Sequence, residues 1–466
     1  MSGIRAPRGG SRLQCLTLAG SITGAVIVAL DGTVLTIVQP LLQRDLDASF
    51  AQVQWTSTGY LIAVASLLVF AGRLGDRYGH QRIFALGILG FGATSAGIGL
   101  ASGIGWVIAL RIAQGVFGAL LQPATLGMLR AAYPPDRLGM PIAVRTSAIG
   151  AAAAAGPIVG GVLAAHWGWR AVFFLNVLPA LAVGVLALVV RVPEPPRERG
   201  RGLDLPGAFL LAATLACLVH TLVALPESGW TPTTVVGLLV VIAAGGAFAR
   251  HELRTANPLL APGVLRSGPV VPALGMLVSA SAAMFGTLFV ATYFLQDVLR
   301  LDPLQSGLRV LPLAVMMVVG APVCIVLQRR FGARRVSGAG AGLIGCGILL
   351  FAQLDRGASA VGIGGGFLLV GAGFGAVMVT ATAVIVRHAS VAEAGVAGGL
   401  QQTAMNIGPT LGVAAAAMLV ARGDFAAMMG PTSVLLAGVA LIGVACATRF
   451  PGVAPSPAPR PDHQPG

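Results

Sequence analysis

Asp31 is the residue of this chain best placed to do chemistry. It sits in Ala29-Leu30-Asp31-Gly32-Thr33-Val34, deep inside an apolar run that begins near Leu13. Set against the apolar runs, every other acid falls in a loop or at a run's end. A carboxylate well inside a membrane costs a few kcal/mol or more, and such groups face a cavity, a partner or a proton path. Arg111 is the natural partner. Asp31 lies about nine residues, roughly 13 Å, from the outer end of its run, and Arg111 about six residues, roughly 9 Å, from the outer end of its own. A nearby guanidinium favours the charged carboxylate, whereas desolvation favours the neutral acid. A group balanced between the two can take up or release a proton as its surroundings open and close. The other use of such a pair is a static ion bridge that locks two spans together.

The elements that must position this pair follow from composition. The chain has 466 residues, 56% hydrophobic and only 10% charged, with a mean hydropathy of +0.86. A soluble fold of this length carries about 25% charged residues. Repeated apolar runs near 20 residues therefore predict an all-α polytopic membrane protein. The pattern yields fourteen spans, the first at about 13–38 and the last at about 432–448. The net charge is +14 and the sequence pI about 11.2, yet every one of the 30 basic residues is Arg. Of these, 22 fall in segments on one side of the spans, six on the other and two, Arg111 and Arg145, within spans. This bias predicts both termini in the cytoplasm and explains the basic balance by topology, without nucleic acid. The first run is too long for a signal-peptide core and reads as a span. The five cysteines lie within or at the ends of spans with no metal-like spacing, so neither a disulfide nor a metal site is expected.

The chain also repeats. Arg77-Tyr78-Gly79 matches Arg330-Phe331-Gly332, and Leu42-Gln43 matches Leu295-Gln296, both 253 residues on. Gly156-Pro157-x-x-Gly160 is echoed by Gly408-Pro409-x-x-Gly412. The expected organisation is a tail (1–12), a six-helix bundle (13–190), a linker with two inserted helices (191–265), a second six-helix bundle (266–448) and a disordered Pro-rich tail (449–466). Such halves enclose a central site and alternate its access. The counterparts of Asp31 and Arg111 in the second half are Met284 and Gly364, so proton chemistry is expected in the first half, with the second supplying cavity wall.

Four further stretches carry pattern. Gly72-Arg73-Leu74-Gly75-Asp76-Arg77-Tyr78-Gly79-His80-Gln81-Arg82 reads as a short cytoplasmic loop. Its glycines permit a tight turn, and Asp76 could latch an inner gate through a helix N-terminus or an Arg. Gln114 and Gly115 follow Arg111, and Gly115 and Gly118 suit close packing beside span one. Ala152, Gly156 and Gly160 form a small-residue ridge in span five, interrupted by Pro157, with Gly161 next to it. Arg145, about five residues inside span five, either snorkels to the cytoplasmic surface or makes a cavity-facing anion contact. Tyr60, Tyr293, Gln401, Gln402 and Asn406, with Arg145, are candidates to line a pocket; the tyrosines suit a lipid-facing position equally well. His220 reads as a neutral, hydrogen-bonded core residue. The sequence shows no Walker loop, no His/Cys cluster and no nucleophile elbow, so an enzyme is not expected.

Taken together these stretches resemble the major facilitator superfamily, specifically its fourteen-span drug:proton antiporters. Leu30-Asp31-Gly32-Thr33-Val34 resembles their span-one motif, Gly72 to Arg82 the loop motif with His80-Gln81 in place of its usual basic pair, Arg111-x-x-Gln114-Gly115 the span-four motif linked to proton transfer, and Gly156-Pro157-x-x-Gly160-Gly161 the span-five antiport motif. Trp167-Gly168-Trp169-Arg170 follows as in these relatives, whereas Val38-Gln39-Pro40 departs from their small apolar pair before Pro. The resemblance implies a proton-driven exporter of amphipathic small molecules such as antibiotics. It would act in the cytoplasmic membrane, without a cofactor beyond the proton gradient, as a monomer. A solute importer of the same fold and a non-transporting sensor are the alternatives.

Overall fold

The computed structural model describes residues 8–134, 137–189, 203–255, 258–260, 268–301, 303–354, 357–389, 393–420 and 425–450. The tail expected to be disordered therefore lies outside the described residues beyond Phe450. The first half comprises α1 (Arg8–Asp45), α2 (Phe50–Tyr78), α3 (His80–Gly99), α4 (Ile104–Ala132), α5 (Gly139–Trp167), α6 (Trp169–Phe174) and α7 (Val177–Val189). The inserted pair is α8 (Leu205–Ser228) and α9 (Pro232–Arg254). The second half comprises α10 (Val270–Tyr293) with a π turn at Phe294–Val298, α11 (Pro303–Phe351), α12 (Ala360–His388), α13 (Ala394–Val420) and α14 (Phe425–Ala447).

Twelve helices among the described residues are long and apolar enough to cross a membrane. One of them, Gln305–Phe351, is 47 residues long. At 1.5 Å per residue that is about 70 Å, more than twice the hydrocarbon thickness. It breaks at Gly332, whose φ of 81° is open to glycine at no steric cost. It is long enough for two crossings, and α5, at 29 residues, has the length of another. The expected fourteen spans are accommodated by these elements.

Three boundaries differ from the sequence reading. α1 does not end near Val38 but continues through Gln39 and Pro40 to Asp45. The stretch Gly72 to Arg82 is no loop: α2 runs to Tyr78, α3 starts at His80, and the turn is confined to Gly79 with φ 100°. Span six is broken between α6 and α7. Pro179 lacks the N–H that would bond the Leu175 carbonyl, so the helix restarts at Val177 with Pro179 in its first turn.

The repeat is visible in the packing. α1 packs on α5 through Gly156 and Gly160, where a Cβ would meet Thr33 and Val34. α10 packs on α13 through Gly408 and Gly412, against Ser281 and Ala282. Gly87 of α3 abuts α4 at Leu121 as Gly340, 253 residues on, abuts α12 at Gly373. Gly115 and Gly118 of α4 meet Tyr60 and Val64 of α2, and not span one as expected. The face of α4 that turns towards α1 is taken by longer side chains, among them Leu121 and Thr125, which reach Gly24.

The halves meet at the Arg-rich end. Leu129, Leu138 and Ile142 form one apolar cluster with Ala383 and Val386, and Ala143 packs with Ala321, Cys324 and Val379. Arg130 donates to the Ala389 carbonyl at 3.3 Å. Large aliphatic side chains such as Leu239 and Ile242 of α9 stay exposed, as lipid contact requires. Towards the other end, Asp45 accepts from the Trp169 indole at 2.8 Å and from Arg170 at 2.6 Å, which holds its carboxyl below the usual range. Its contribution to stability is therefore present above the ordinary carboxylate pKa and is lost as pH falls below it.

Gly160 and Gly161 offer a direct test of this packing. A Cβ at Gly160 would lie 2.7 Å from Val34, whereas one at Gly161 meets nothing within 4 Å. Gly160→Ala should destabilise by about 1–3 kcal/mol through overpacking. Gly161→Ala should be neutral or stabilise by up to about 1 kcal/mol. Thermal midpoints of the purified variants in detergent read the difference, and equal midpoints would refute the α1–α5 contact.

Candidate functional site

Five elements of the first half converge on Asp31. The carboxylate is 5% exposed and Arg111 only 1%. Arg111 Nη1 donates to Asp31 Oδ2 at 2.6 Å and to Gln114 Oε1 at 2.5 Å, and its Nε donates to the Thr56 carbonyl of α2 at 3.1 Å. Its guanidinium lies over the Tyr60 ring, 4.3 Å from the centroid. Asp31 Oδ1 accepts from Asn176 Nδ2 at 3.1 Å and, more weakly, from Gln114 Nε2 at 3.4 Å. Both amides also donate to Ser95 Oγ of α3, at 3.2 and 2.8 Å. The result is a buried polar network closed on itself, with two donors besides Arg111 on one carboxylate. Such a network holds a charge in a low dielectric, and loss of one member leaves another unpaired.

The local sequence explains each position. Arg111 and Gln114 are one helical turn apart and share a face of α4. Gly115, against the Tyr60 carbonyl, lets α2 approach closely enough for Thr56 and Tyr60 to reach the guanidinium. Asn176 reaches Asp31 because the break before α7 frees it from regular helix geometry. Asn176 and Ser95 were missed by the sequence reading. Their signal was available: an Asn three residues before Pro within an apolar run, and a Ser in a span.

A second cluster lies at the Arg-rich end. Asp76 accepts from the backbone N–H groups of Gly395 at 2.7 Å and Val396 at 3.1 Å, the first turn of α13. These amides have no intrahelical partner, and a carboxylate there also opposes the helix dipole. His80 Nε2 lies 3.3 Å from Asp76, and its ring fills the space left by Gly75 and Gly127. Gly72 and Gly395 touch backbone to backbone; a Cβ on either would overlap the other's carbonyl. Arg73 donates to the Pro258 carbonyl at 2.5 Å. Beside it Leu259, fully buried, packs between Val69 and Val396, and Glu252 of α9 accepts from the Leu259 and Leu260 amides. Arg77, Tyr78 and Arg82 are exposed, and Arg77 lies over the Tyr78 ring.

The other candidates separate. Tyr60 belongs to the Arg111 network. Gln401 is fully buried and donates to Thr382 at 3.3 Å, Gln402 donates to Gln122 of α4 across the two halves, and Asn406 donates to the Gln402 carbonyl at 2.8 Å. Tyr293 is exposed beside Phe289. His220 is not a core residue: it is exposed and stacks on Trp55 with ring centroids 6.0 Å apart. Arg145 does not snorkel, being 2% exposed. Met284 lies in the apolar core of the second half.

Two like halves of membrane-spanning helices, closed against each other at one end, with an ion pair buried inside the first of them, define a membrane transporter. The sequence pattern of the Major Facilitator Superfamily matches residues 22–413, and the chain belongs to that family. It is 41% identical over 413 residues to the tetracenomycin C resistance and export protein of Streptomyces glaucescens, covering 87% of this chain and 76% of that one. It is 34% identical over 406 residues to the puromycin resistance protein pur8 of Streptomyces alboniger, covering 84% and 79%. Among solved structures, the human organic anion transporter MFSD10 superposes with a TM-score of 0.67 at 16% identity, covering 95% of this chain and all of the other, and shares its fold.

Two outcomes follow from the geometry. Arg111→Ala leaves Asp31 buried without its cation and should cost about 3–5 kcal/mol, with Arg111→Lys recovering only part because an ammonium lacks the guanidinium fork. Thermal unfolding in detergent measures this, and an Arg111→Ala variant as stable as the parent would contradict the pairing. Asp76→Asn weakens the α13 contact by about 1 kcal/mol, a roughly fivefold shift. Hydrogen exchange at Gly395 and Val396 should rise accordingly; unchanged protection there would show that the carboxylate does not hold these amides.

Proposed function

We propose that this transporter is a proton-coupled antiporter that exports amphipathic small molecules, natural-product antibiotics among them, across the cytoplasmic membrane by alternating access. The observation that carries the reading is the Asp31 carboxylate, buried and shared between Arg111, Gln114 and Asn176. A carboxylate with alternative donors around it can exchange its charge for a proton when one donor withdraws, and so report the state of the cavity to the proton gradient. The direction of transport rests on the relatives, named for resistance and export. The Arg-rich end faces the cytoplasm by the positive-inside bias. The conformation described is then closed inward, with Asp76 on the first turn of α13 as the latch. Gln122 and Gln402 meet between the halves at the floor of the cavity. The protein works as a monomer, with protons and substrate as its only exchanged partners.

Everted membrane vesicles carrying the protein test this, with tetracenomycin C and puromycin as first compounds. An imposed pH gradient should drive uptake into the vesicles, and collapse of the gradient should stop it. Asp31→Asn should lose gradient-driven uptake when compared with the parent at equal amounts of folded, membrane-inserted protein, since the substitution also leaves Arg111 without its anion. Full pH-gradient-dependent transport by purified Asp31→Asn in liposomes would remove the coupling assignment.

A further inference from the structure

The two arginines inside the spans are satisfied very differently. Arg111 has a carboxylate, an amide oxygen, a backbone carbonyl and an aromatic face. Arg145 is just as buried, at 2% exposed, yet forms no ion pair or hydrogen bond among the described residues, and its Nε is enclosed without a partner. A buried guanidinium without an anion is costly. Among the described residues the carboxylates with buried side chains are engaged elsewhere: Asp31 by Arg111, Asp76 by the α13 amides and His80, and Asp204 by His251 and the Gly207 amide.

Its position defines what could pair with it. Arg145 shares a helix face with Ala152, Gly156 and Gly160, the face turned towards α1 and away from the exposed Val162 side. Three residues below it, about 4.5 Å along α5, Ile142 belongs to the apolar cluster that closes the Arg-rich end. Gln122 lies higher, about 10 Å along α4 from Leu129 of the same cluster. Thr382, adjacent to Ala383 of that cluster, holds Gln401, whose Oε1 is buried and unpartnered. Near the apolar floor the first half thus carries an unpaired buried cation on α5 and the second half an unpaired buried acceptor on α13.

We propose that Arg145 anchors the acidic group of the transported molecule, so that the transporter selects amphipathic compounds bearing a carboxylate or an acidic phenol. The spare Gln401 oxygen suits a hydroxyl donor on the same compound. This deepens the export reading and rests on it. A lipid phosphate offers the same anionic chemistry, but the depth of Arg145 above the closed floor and its turn away from the lipid side favour a cavity ligand.

The test is equilibrium binding, which needs no proton gradient, so its outcome is independent of the coupling assignment. The probe is 6-hydroxy-2-naphthoate, with its methyl ester as the neutral match, added to the full chain in phosphatidylcholine nanodiscs. The parent should bind the acid about tenfold or more tightly than the ester, the scale of one charge-assisted hydrogen-bonded pair. Arg145→Met and Arg145→Gln should abolish that preference, and Arg145→Lys should keep part of it. Without ligand, Arg145→Met should melt no lower than the parent, because an unpaired buried charge is removed. Equal binding of acid and ester by the parent, failure to bind the acid, a preference that survives Arg145→Met, or a lowered melting point in that variant each overturns the proposal. An acid affinity lost only in phosphatidylglycerol nanodiscs assigns the guanidinium to a lipid headgroup and overturns it as well.

Discussion

A carboxylate placed among apolar helices has to be answered by a cation, and much of the first half is arranged to provide that answer. The Asp31–Arg111 contact ties α1 to α4 at one register. It obliges α2 to come close enough for the Thr56 carbonyl to take the Nε proton, which is possible only because Gly115 has no side chain where Tyr60 passes. It uses the break that Pro179 imposes before α7, from which Asn176 completes the shell. The desolvation penalty of the pair is offset only when every remaining donor and acceptor is matched, which is why an amide–hydroxyl chain through Gln114, Asn176 and Ser95 surrounds it.

The two halves share their packing and divide their chemistry. Glycine contacts recur between α1 and α5 and between α10 and α13, so the scaffold is duplicated. The ion pair is not: Met284 sits where Asp31 would, within an apolar core. The second half instead supplies the N-terminus of α13 to Asp76, and carries Gln401 and Gln402 on that helix. The buried ion pair thus belongs to the first half, and the second half meets the first with donors, the α13 amides on Asp76 and the Gln402 amide on Gln122. Relative motion of the halves then changes what each charge can touch.

The helical membrane fold, the repeat and the pairing of Asp31 with Arg111 were legible in the sequence because each rests on a physical signal that needs no partner to be seen: apolar length, a fixed offset, and a charge where charge is expensive. What the sequence concealed depended on contacts between distant segments. Asn176 and Ser95 carry no charge, and nothing local says that a helix break will aim one at the other. Gly72 to Arg82 looked like a loop because glycine and charge usually mark one. Tertiary packing against α13 instead keeps it helical up to a single glycine. Arg145 is ambiguous by sequence, since snorkelling and burial differ only in where the side chain goes.

The inserted helices have a mechanical consequence. Leu259 fills the space between Val69 and Val396, and Arg73 grips the carbonyl just before it, so the segment after α9, tied to that helix by Glu252, is wedged into the joint that Asp76 closes. The joint cannot part without either expelling this wedge or dragging α9 with it. α9 lies almost wholly against lipid, with Val236, Leu239 and Ile242 outward. In the alternating-access cycle proposed above, each opening stroke would therefore do work on the surrounding acyl chains, and the thickness and stiffness of the bilayer would become part of the force that sets its rate.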